Sequence, residues 1–512
     1  MNNIGKIKSM LYKKTNKNEK IQIIVISVII FSFIANSYCW FDFNFSHDSS
    51  MMIQSDSYWQ IAIGRYVHYF YTLFRGQLFS PLLVGSISVV FIIISTYYIA
   101  KIFDIDKRLP LILLSGLLSA NSVITLITAT YIYELDIYML SLMLSVISVY
   151  FSIFYKKGWI AAICLFSISL GIYQSYRQVG IILFLFSLIK DIINGDNYKS
   201  ILRKSFKYIL ILGASLILYY ISMKASLIYF KVEPSNSYNG LASINTFLDI
   251  KYLIYLSKDA YNKFIDYTIH LKTYRSSLFF KVSLISILIS IFIIIKTSFK
   301  NKNGFIEKIL LIIILLIIPL GGNIICVFSQ GMQHDLMVYS VFIVYAFMIY
   351  LFNNNLNKSI SIYNAFILFF LSALIFSNII YSNQIYMKKH VEFEKTYLTF
   401  NRIIDRIEQT EGFILGRTPV ALIGNLQNNN LCYKVDYFDY SSTGVSNCFS
   451  TTYSITYNMF INRIMSYPMN IVSDQNIIDS LNSNEIVKRM SNFPSKESIK
   501  MVDNVVVVKL SN

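Results

Sequence analysis

Apolar runs of roughly twenty residues, parted by short polar connectors, recur from residue 21 to residue 381. About 20 apolar residues are needed to cross the hydrocarbon of a bilayer, so this pattern predicts membrane-spanning helices. We place them at 21–39, 82–100, 109–128, 136–154, 158–172, 178–190, 208–229, 279–296, 306–326, 336–352 and 360–381, eleven in all. The run from Gly158 to Ile189 is too long for one helix and short for two. Tyr173-Gln174-Ser175-Tyr176-Arg177-Gln178 interrupts it, which predicts a tight turn there.

From about residue 385 the pattern changes to mixed polar and apolar positions. Val391, Phe393, Tyr397, Phe400, Ile403, Ile404 and Ile407 recur at helical spacing, and Val420–Gly424 and Val505–Val508 read as short strands. The fold class expected is therefore an all-α polytopic membrane protein of about eleven transmembrane helices, residues 1–384, followed by a small α/β domain, residues 385–512. No internal repeat is evident.

Composition agrees with this division. The 512 residues are 55% hydrophobic and 14% charged, with a mean hydropathy of +0.53, outside the range of soluble domains. The formal net charge of +17 raises nucleic acid as a partner, but the bases fall in alternate connectors. Lys6, Lys8, Lys13 and Lys14 precede the first span; Lys101, Lys107 and Arg108 follow the second; Lys156 and Lys157 follow the fourth. Lys199, Arg203 and Lys204 follow the sixth, and Lys300 and Lys302 the eighth. The positive-inside rule places these connectors and the N-terminus in the cytoplasm and the C-terminal domain outside the cytoplasm. Nucleic acid is then not an expected partner, and membrane lipid is.

A cleaved signal peptide is the rival reading of residues 1–39, but the apolar run is long for one. Cys39 follows Asn-Ser-Tyr, without the small residue that precedes a lipoprotein cysteine, so the first span is read as an uncleaved helix. Cys432 and Cys448 fall together in the outer domain, where a disulfide and two unrelated thiols are equally good readings.

The alternation leaves two long outer connectors, residues 40–81 and 230–278. The second holds Glu233, Asp249, Asp259, Asp266, His270 and Arg275, and its stretch 248–267 fits an amphipathic helix lying in the interface. The first packs His47, Asp48, Asp56, Arg65 and Arg75 beside the membrane. Glu134 and Asp136 flank the entry of the fourth span, Arg177 sits in the 173–177 turn, and His334-Asp335 opens the tenth span. Charge near hydrocarbon is costly and usually has a partner or a task. A carboxylate there can act as a general base on a sugar hydroxyl, while guanidinium groups grip a phosphate leaving group.

Each of these has a plainer reading. Asp48 could cap a helix beginning near Ser49, Gly64-Arg65 could be a kink with a snorkelling arginine, and Glu134 and Asp136 could be interfacial charges. His68, His270 and His390 read as interfacial or surface residues. The convergence of several such groups at one face tips Asp48, Glu134 and Asp136 toward function. No spacing matches a zinc site, and no nucleotide-binding loop is present. No cofactor is expected; a divalent cation held by Asp48 and Asp56 is an alternative without support in the spacing.

Several local strings carry a family resemblance: His47-Asp48-Ser49, Gly64-Arg65-Tyr66, Arg75-Gly76-Gln77 with Pro81, and Ser115-Gly116 with Asn121. Ala129-Thr130-Tyr131 with Glu134, Asp136 and Tyr138-Met139, and Gly171-Ile172-Tyr173-Gln174-Ser175-Tyr176, complete the set. Together they resemble the bacterial multi-pass GtrII-like glucosyltransferases that modify O-antigen and related surface polysaccharides, proteins of GT-C type. The resemblance is confined to the first half of the chain. It implies inverting transfer of a hexose, typically glucose, from undecaprenyl phosphate to a surface glycan on the outer side of the bacterial inner membrane. It gives the role of base to Asp48, with Asp56 second, and substrate binding to His47, Arg65, Arg75, Glu134, Asp136, Tyr173, Gln174 and Arg177. His47 stands where such enzymes often have an acid. Further partners implied are an enzyme that charges the lipid carrier and a flippase.

A polysaccharide polymerase or ligase is the nearest alternative, but those proteins lean on arginines in a large later outer loop, and here that loop has only Arg275. A flippase or transporter should place charges along a mid-membrane path. Lys224 is the clearest charge within a span.

Overall fold

The computed structural model describes residues 12–42, 44–45, 57–76, 80–235, 249–270, 277–300, 304–355, 362–426 and 454–511. The helices in chain order are α1 Lys17–Phe41, α2 Ser57–Ala62, α3 Tyr66–Arg75, α4 Pro81–Ile102, α5 Arg108–Ser119, α6 Ser122–Tyr131, α7 Leu135–Phe154 and α8 Gly158–Ile172. They continue as α9 Arg177–Asn194, α10 Tyr198–Phe230, α11 Ile250–His270, α12 Ser277–Lys300, α13 Phe305–Gly322, α14 Ile324–Phe328, α15 Ser340–Asn355 and α16 Ile362–Glu408. After α16 come β1 Val420–Ile423, α17 Ser454–Met459, α18 Gln475–Ser483, α19 Glu485–Arg489, β2 Ile499–Val502 and β3 Val505–Lys509. Contacts divide the chain into two units. One comprises Met1–Ser37, Asp56–Thr128 and Tyr133–Ser382, the other Tyr38–Ser55, Ala129–Ile132 and Asn383–Asn512.

Among the described residues, seven helical stretches are long and apolar enough to cross a membrane: Lys17–Phe41, Pro81–Ile102, Arg108–Phe154, Tyr198–Phe230, Phe280–Phe299, Phe305–Gly322 and Asn364–Glu408. The expected spans at 158–172 and 336–352 fall on shorter apolar helices, Gly158–Ile172 and Ser340–Asn355. Two expected spans are broken. The one at 109–128 divides at Asn121, whose amide donates to the Leu117 and Leu118 carbonyls while its oxygen accepts from the Ile124 N–H. That side chain satisfies helix ends that would otherwise be orphaned in an apolar core. The span at 306–326 breaks at Asn323, whose amide donates to the Ala260 carbonyl and to Gln333.

Helix α10 begins earlier than expected, with Asn197 as its N-cap accepting from the Ser200 N–H. The stretch expected to lie as an interfacial helix is α11, and its Leu256, Ala260 and Phe264 are buried against neighbouring helices α13 and α14.

The larger unit packs through small residues. Ser88, Ser95 and Thr96 of α4 and Ser141, Ser145, Ser148 and Ser152 of α7 are all buried, which lets helix backbones approach closely where lipid supplies no hydrophobic drive. The hydroxyls are not idle: Ser141 donates to the Ser169 carbonyl at 3.0 Å and Ser145 to the Tyr176 carbonyl at 2.9 Å. Those two bonds fix α8 and the following turn against α7.

The smaller unit is held differently. Its sheet has the order β1-β3-β2, with β1 parallel and β2 antiparallel to β3. Asp503 and Asn504, both at positive φ (50° and 62°), make the two-residue turn between β2 and β3, as a hairpin turn matched to strand twist requires. Strand alternation sends Val420, Leu422, Val506 and Val508 to one face, against Phe400, Ile403 and Ile407 of α16. Ala421, Ile423 and Val507 go to the other, against Leu481, Val487 and Met490. The expected strands at 420–424 and 505–508 thus appear, and β2 joins them.

Candidate active site

The larger unit holds a knot of buried polar side chains, built from a short elbow and a short turn. The elbow is Ile63-Gly64-Arg65, between α2 and α3. Gly64 has φ +81°, and a Cβ there would lie 2.6 Å from the Tyr219 hydroxyl, so a side chain is excluded by both conformation and space. The Tyr219 hydroxyl donates to the Gly64 carbonyl at 3.1 Å. Gln174, in the turn between α8 and α9, donates to the Ile63 carbonyl at 3.3 Å and to the Tyr219 hydroxyl at 3.2 Å. Gly171 lets α8 come close to Tyr66 and Val67 of α3; a Cβ there would meet Val67 at 2.7 Å. The elbow and the turn are therefore locked together through α10.

On this frame the polar stripe of α3 faces the start of α7. Arg75 pairs with Asp136 at 2.6 Å and also donates to the Tyr133 carbonyl at 2.8 Å. Tyr71 donates to the second Asp136 oxygen at 2.9 Å, and the Ile137 N–H donates to the first at 2.9 Å. Asp136 is thus fully engaged and wholly buried, and it anchors Arg75. Burial, and then the Asp136 carboxylate, hold the Tyr71 phenol above its usual range, which keeps it a donor.

Glu134, two residues earlier, is treated differently. Gln60 donates to its Oε1 at 2.9 Å and His68 Nε2 lies 3.3 Å from the same oxygen. Its Oε2, the His68 Nδ1 and the Gln60 Oε1 are buried without a hydrogen-bond partner among the described residues. Arg65 lies with its guanidinium 4.6 Å from the centre of the Tyr173 ring, which stacks on Tyr138 at 4.3 Å, and it reaches the Tyr138 hydroxyl at 3.4 Å. A buried polar atom without a partner costs on the order of 1–3 kcal/mol, so several of them in one place call for a water, an ion or a polar ligand that completes them.

Arg177 opens α9 and is buried, with Nη2 donating to the Leu212 carbonyl at 2.6 Å. Its Nη1 has no partner, and no described carboxylate forms an ion pair with it. Leu212 and Tyr219 are seven residues apart on α10, so Arg177 meets that helix about 10 Å from the Tyr219 layer. The displacement is toward the end of α10 that carries Lys199, Arg203 and Lys204.

Of the residues singled out in the sequence, Arg65, Arg75, Glu134, Asp136, Tyr173 and Gln174 are brought together, with Arg177 one layer away. His47, Asp48 and Asp56 lie outside the described residues, as do Cys432 and Cys448. His68 corrects its reading as a surface residue, since it is only 6% exposed and sits against Glu134. Gln60, Tyr71, Tyr138 and Tyr219 were missed as site residues. One signal was available: Arg65, His68, Thr72 and Arg75 recur at helical spacing and put a polar stripe on a helix flanked by apolar spans. Among the described residues no three His, Cys, Asp or Glu side chains are grouped to hold a metal ion.

Comparison with known proteins finds one family model, described as glucosyl transferase GtrII, which matches residues 37–352, more than half of the chain. No curated protein and no solved structure matches. The polar knot lies inside the matched stretch; the sheet lies outside it.

Proposed function

Since the chain belongs to the GtrII glucosyltransferase family and is a membrane glycosyltransferase, we propose that it moves a hexose from undecaprenyl phosphate to a surface polysaccharide, with inversion, at the polar knot. The site would open to the outer side of the bacterial inner membrane, with the N-terminus cytoplasmic. The observation that supports this reading is the set of partnerless buried atoms on Gln60, His68, Glu134 and Arg177 within the helical unit.

The chemistry assigns a part to each group. Asp48, with Asp56 as its alternative, removes the proton from the acceptor hydroxyl as that oxygen attacks C1 of the hexose. The C1–O bond to the phosphate breaks, and its electron pair leaves on the phosphate oxygen. Arg177 receives the phosphate, because Arg75 is already neutralised by Asp136 at 2.6 Å and a guanidinium without a carboxylate is the better anion ligand. Glu134 and His68 take the sugar hydroxyls through their open atoms. Asp136 holds Arg75 and Tyr71 in place. The layer spacing along α10 suits a lipid-linked sugar, with phosphate at Arg177 and hexose at the elbow.

The test is transfer of radiolabelled glucose from undecaprenyl-phosphate glucose to surface polysaccharide, in membranes with the native chain, Asp48→Asn or Arg177→Met at matched insertion. The reading expects transfer by the native chain and at least a hundredfold loss in each variant. Transfer unchanged in Asp48→Asn removes that residue as the base. No transfer by the native chain with any hexose-charged carrier overturns the reading.

A further inference from the structure

The smaller unit carries a second arrangement of polar groups that the polar knot does not use. His390 Nδ1 lies 2.8 Å from Asp42 Oδ2, with Tyr38 edge-on to the imidazole at 6.5 Å between ring centres. Asn44 also approaches Nδ1, but at 3.5 Å. The shorter contact to a carboxylate decides the tautomer: Nδ1 carries the proton and donates to Asp42, so Nε2 of the neutral ring is left as an acceptor. His390 opens a groove of about 620 Å³ along one side of α16, shared with Glu394, Lys395, Leu398, Thr399 and Arg402. All of its described lining residues stand on this one helix, so it is a shallow, open surface.

The shape and charge of the groove select among ligands. Its described wall runs from Met387 to Arg402, sixteen residues of helix or about 22 Å, which is longer than a single lipid headgroup and suits an extended chain. One acid alternates with two bases and a hydroxyl, unlike the uniformly cationic patch that draws anionic lipid. Val391 and Leu398 are 51% and 59% exposed, and they supply apolar surface between the hydrogen-bonding groups, as the C–H faces of sugar rings require. We propose that this groove binds the polysaccharide acceptor, with Nε2 of His390, oriented by Asp42, accepting a hydrogen bond from a sugar hydroxyl. The inference rests on the transferase reading, for which it supplies an acceptor-binding surface whose wall on α16 lies beyond the stretch 37–352 that the family model matches.

The test uses the full chain in nanodiscs and, as probe, lipid-free polysaccharide released by mild acid from the bacterium that carries the chain. Binding is measured by calorimetry for the native chain, His390→Ala, His390→Gln, Asp42→Asn and Arg402→Ala, with glucose transfer measured in parallel. The expected result is at least tenfold weaker polysaccharide binding in His390→Ala and Arg402→Ala and partial recovery in His390→Gln. Asp42→Asn should weaken binding less, and the acceptor KM should rise with little change in kcat. Unchanged binding in all four variants, each inserted and melting as the native chain does, overturns the groove. So does binding of phosphatidylglycerol vesicles that competes with the polysaccharide and is lost in the same variants. Native-like polysaccharide binding by a chain that transfers no hexose overturns the transferase reading instead, which keeps the two failures apart.

Discussion

Both units bury apolar side chains, but the larger one also encloses many more polar ones. In the smaller one, the sheet and α16 bury Phe400, Ile403, Val506 and Val508, and apolar contact does the work. In the larger one, the most enclosed side chains include Ser145, Asp136, Asn121 and Thr125, all 0% exposed. Water drives the first kind of burial, because each fully buried apolar side chain gains roughly 1.5–3 kcal/mol on leaving it. Between helices in lipid that drive is absent, so small residues, hydrogen bonds and paired charges hold the elements together. Partnerless buried polar atoms also occur singly in the larger unit, on Thr96, Ser152 and Asn378, but around Glu134 they cluster. Asp136 is satisfied on both oxygens; Glu134, two residues away, is not.

The comparison can be pressed with substitutions of decreasing effect. Removing one partner of a buried ion pair leaves an uncompensated charge, so Arg75→Met should destabilise by about 3–5 kcal/mol, read as a lowered Tm in detergent. Pairing it with Asp136→Asn should recover much of the loss. In the smaller unit Phe400→Ala should cost a similar amount, about 3–5 kcal/mol, through a cavity. Because Phe400 faces the sheet and not the groove of Leu398, Thr399 and Arg402, glucose transfer by molecules that remain folded should fall far less than in Arg177→Met. Gly64→Ala puts a Cβ 2.6 Å from the Tyr219 hydroxyl at a backbone angle of +81°. A strained residue of this kind costs about 1–3 kcal/mol, and Tyr219→Phe in the same chain should relieve the steric part but not the strain. The smallest effect belongs to Ser145→Ala, where one hydrogen bond to the Tyr176 carbonyl is lost. Interhelical bonds of this type average about 0.6 kcal/mol, so its Tm should barely move. A large drop there, with a small one in Arg75→Met, would break the comparison.

How much of this was legible in the sequence follows the same divide. Apolar runs mark helices well, and most expected spans fall on helices. What periodicity misses are breaks made by one side chain: Asn121 bonds backbone groups three and four residues away, Asn323 reaches the Ala260 carbonyl brought near by folding, and nothing in the apolar pattern records either. The short turn at 173–177 was legible because five polar or aromatic residues interrupt the run. Glu134 and Asp136 were legible as charges at a span entrance, but not their different roles. Those depend on Gln60, Tyr71 and Arg75, fixed only when the α2–α3 elbow packs against α8 and α10. His68 shows the limit most clearly, since a lone histidine in an outer connector reads as solvated until Glu134 lies beside it.

The central claim is that the partially satisfied knot in the larger unit is where hexose transfer takes place. Its most direct test is the transfer rate of Glu134→Gln, an uncharged isostere, against the native chain at matched insertion and with Tm measured on the same samples. The account predicts at least a hundredfold loss of kcat per folded molecule, beyond the lowering of Tm expected from losing the charge beside His68, because Glu134 Oε2 has no hydrogen-bond partner among the described residues and is kept for substrate. A native rate of transfer, or a loss of rate that only follows a loss of folded protein, would contradict it.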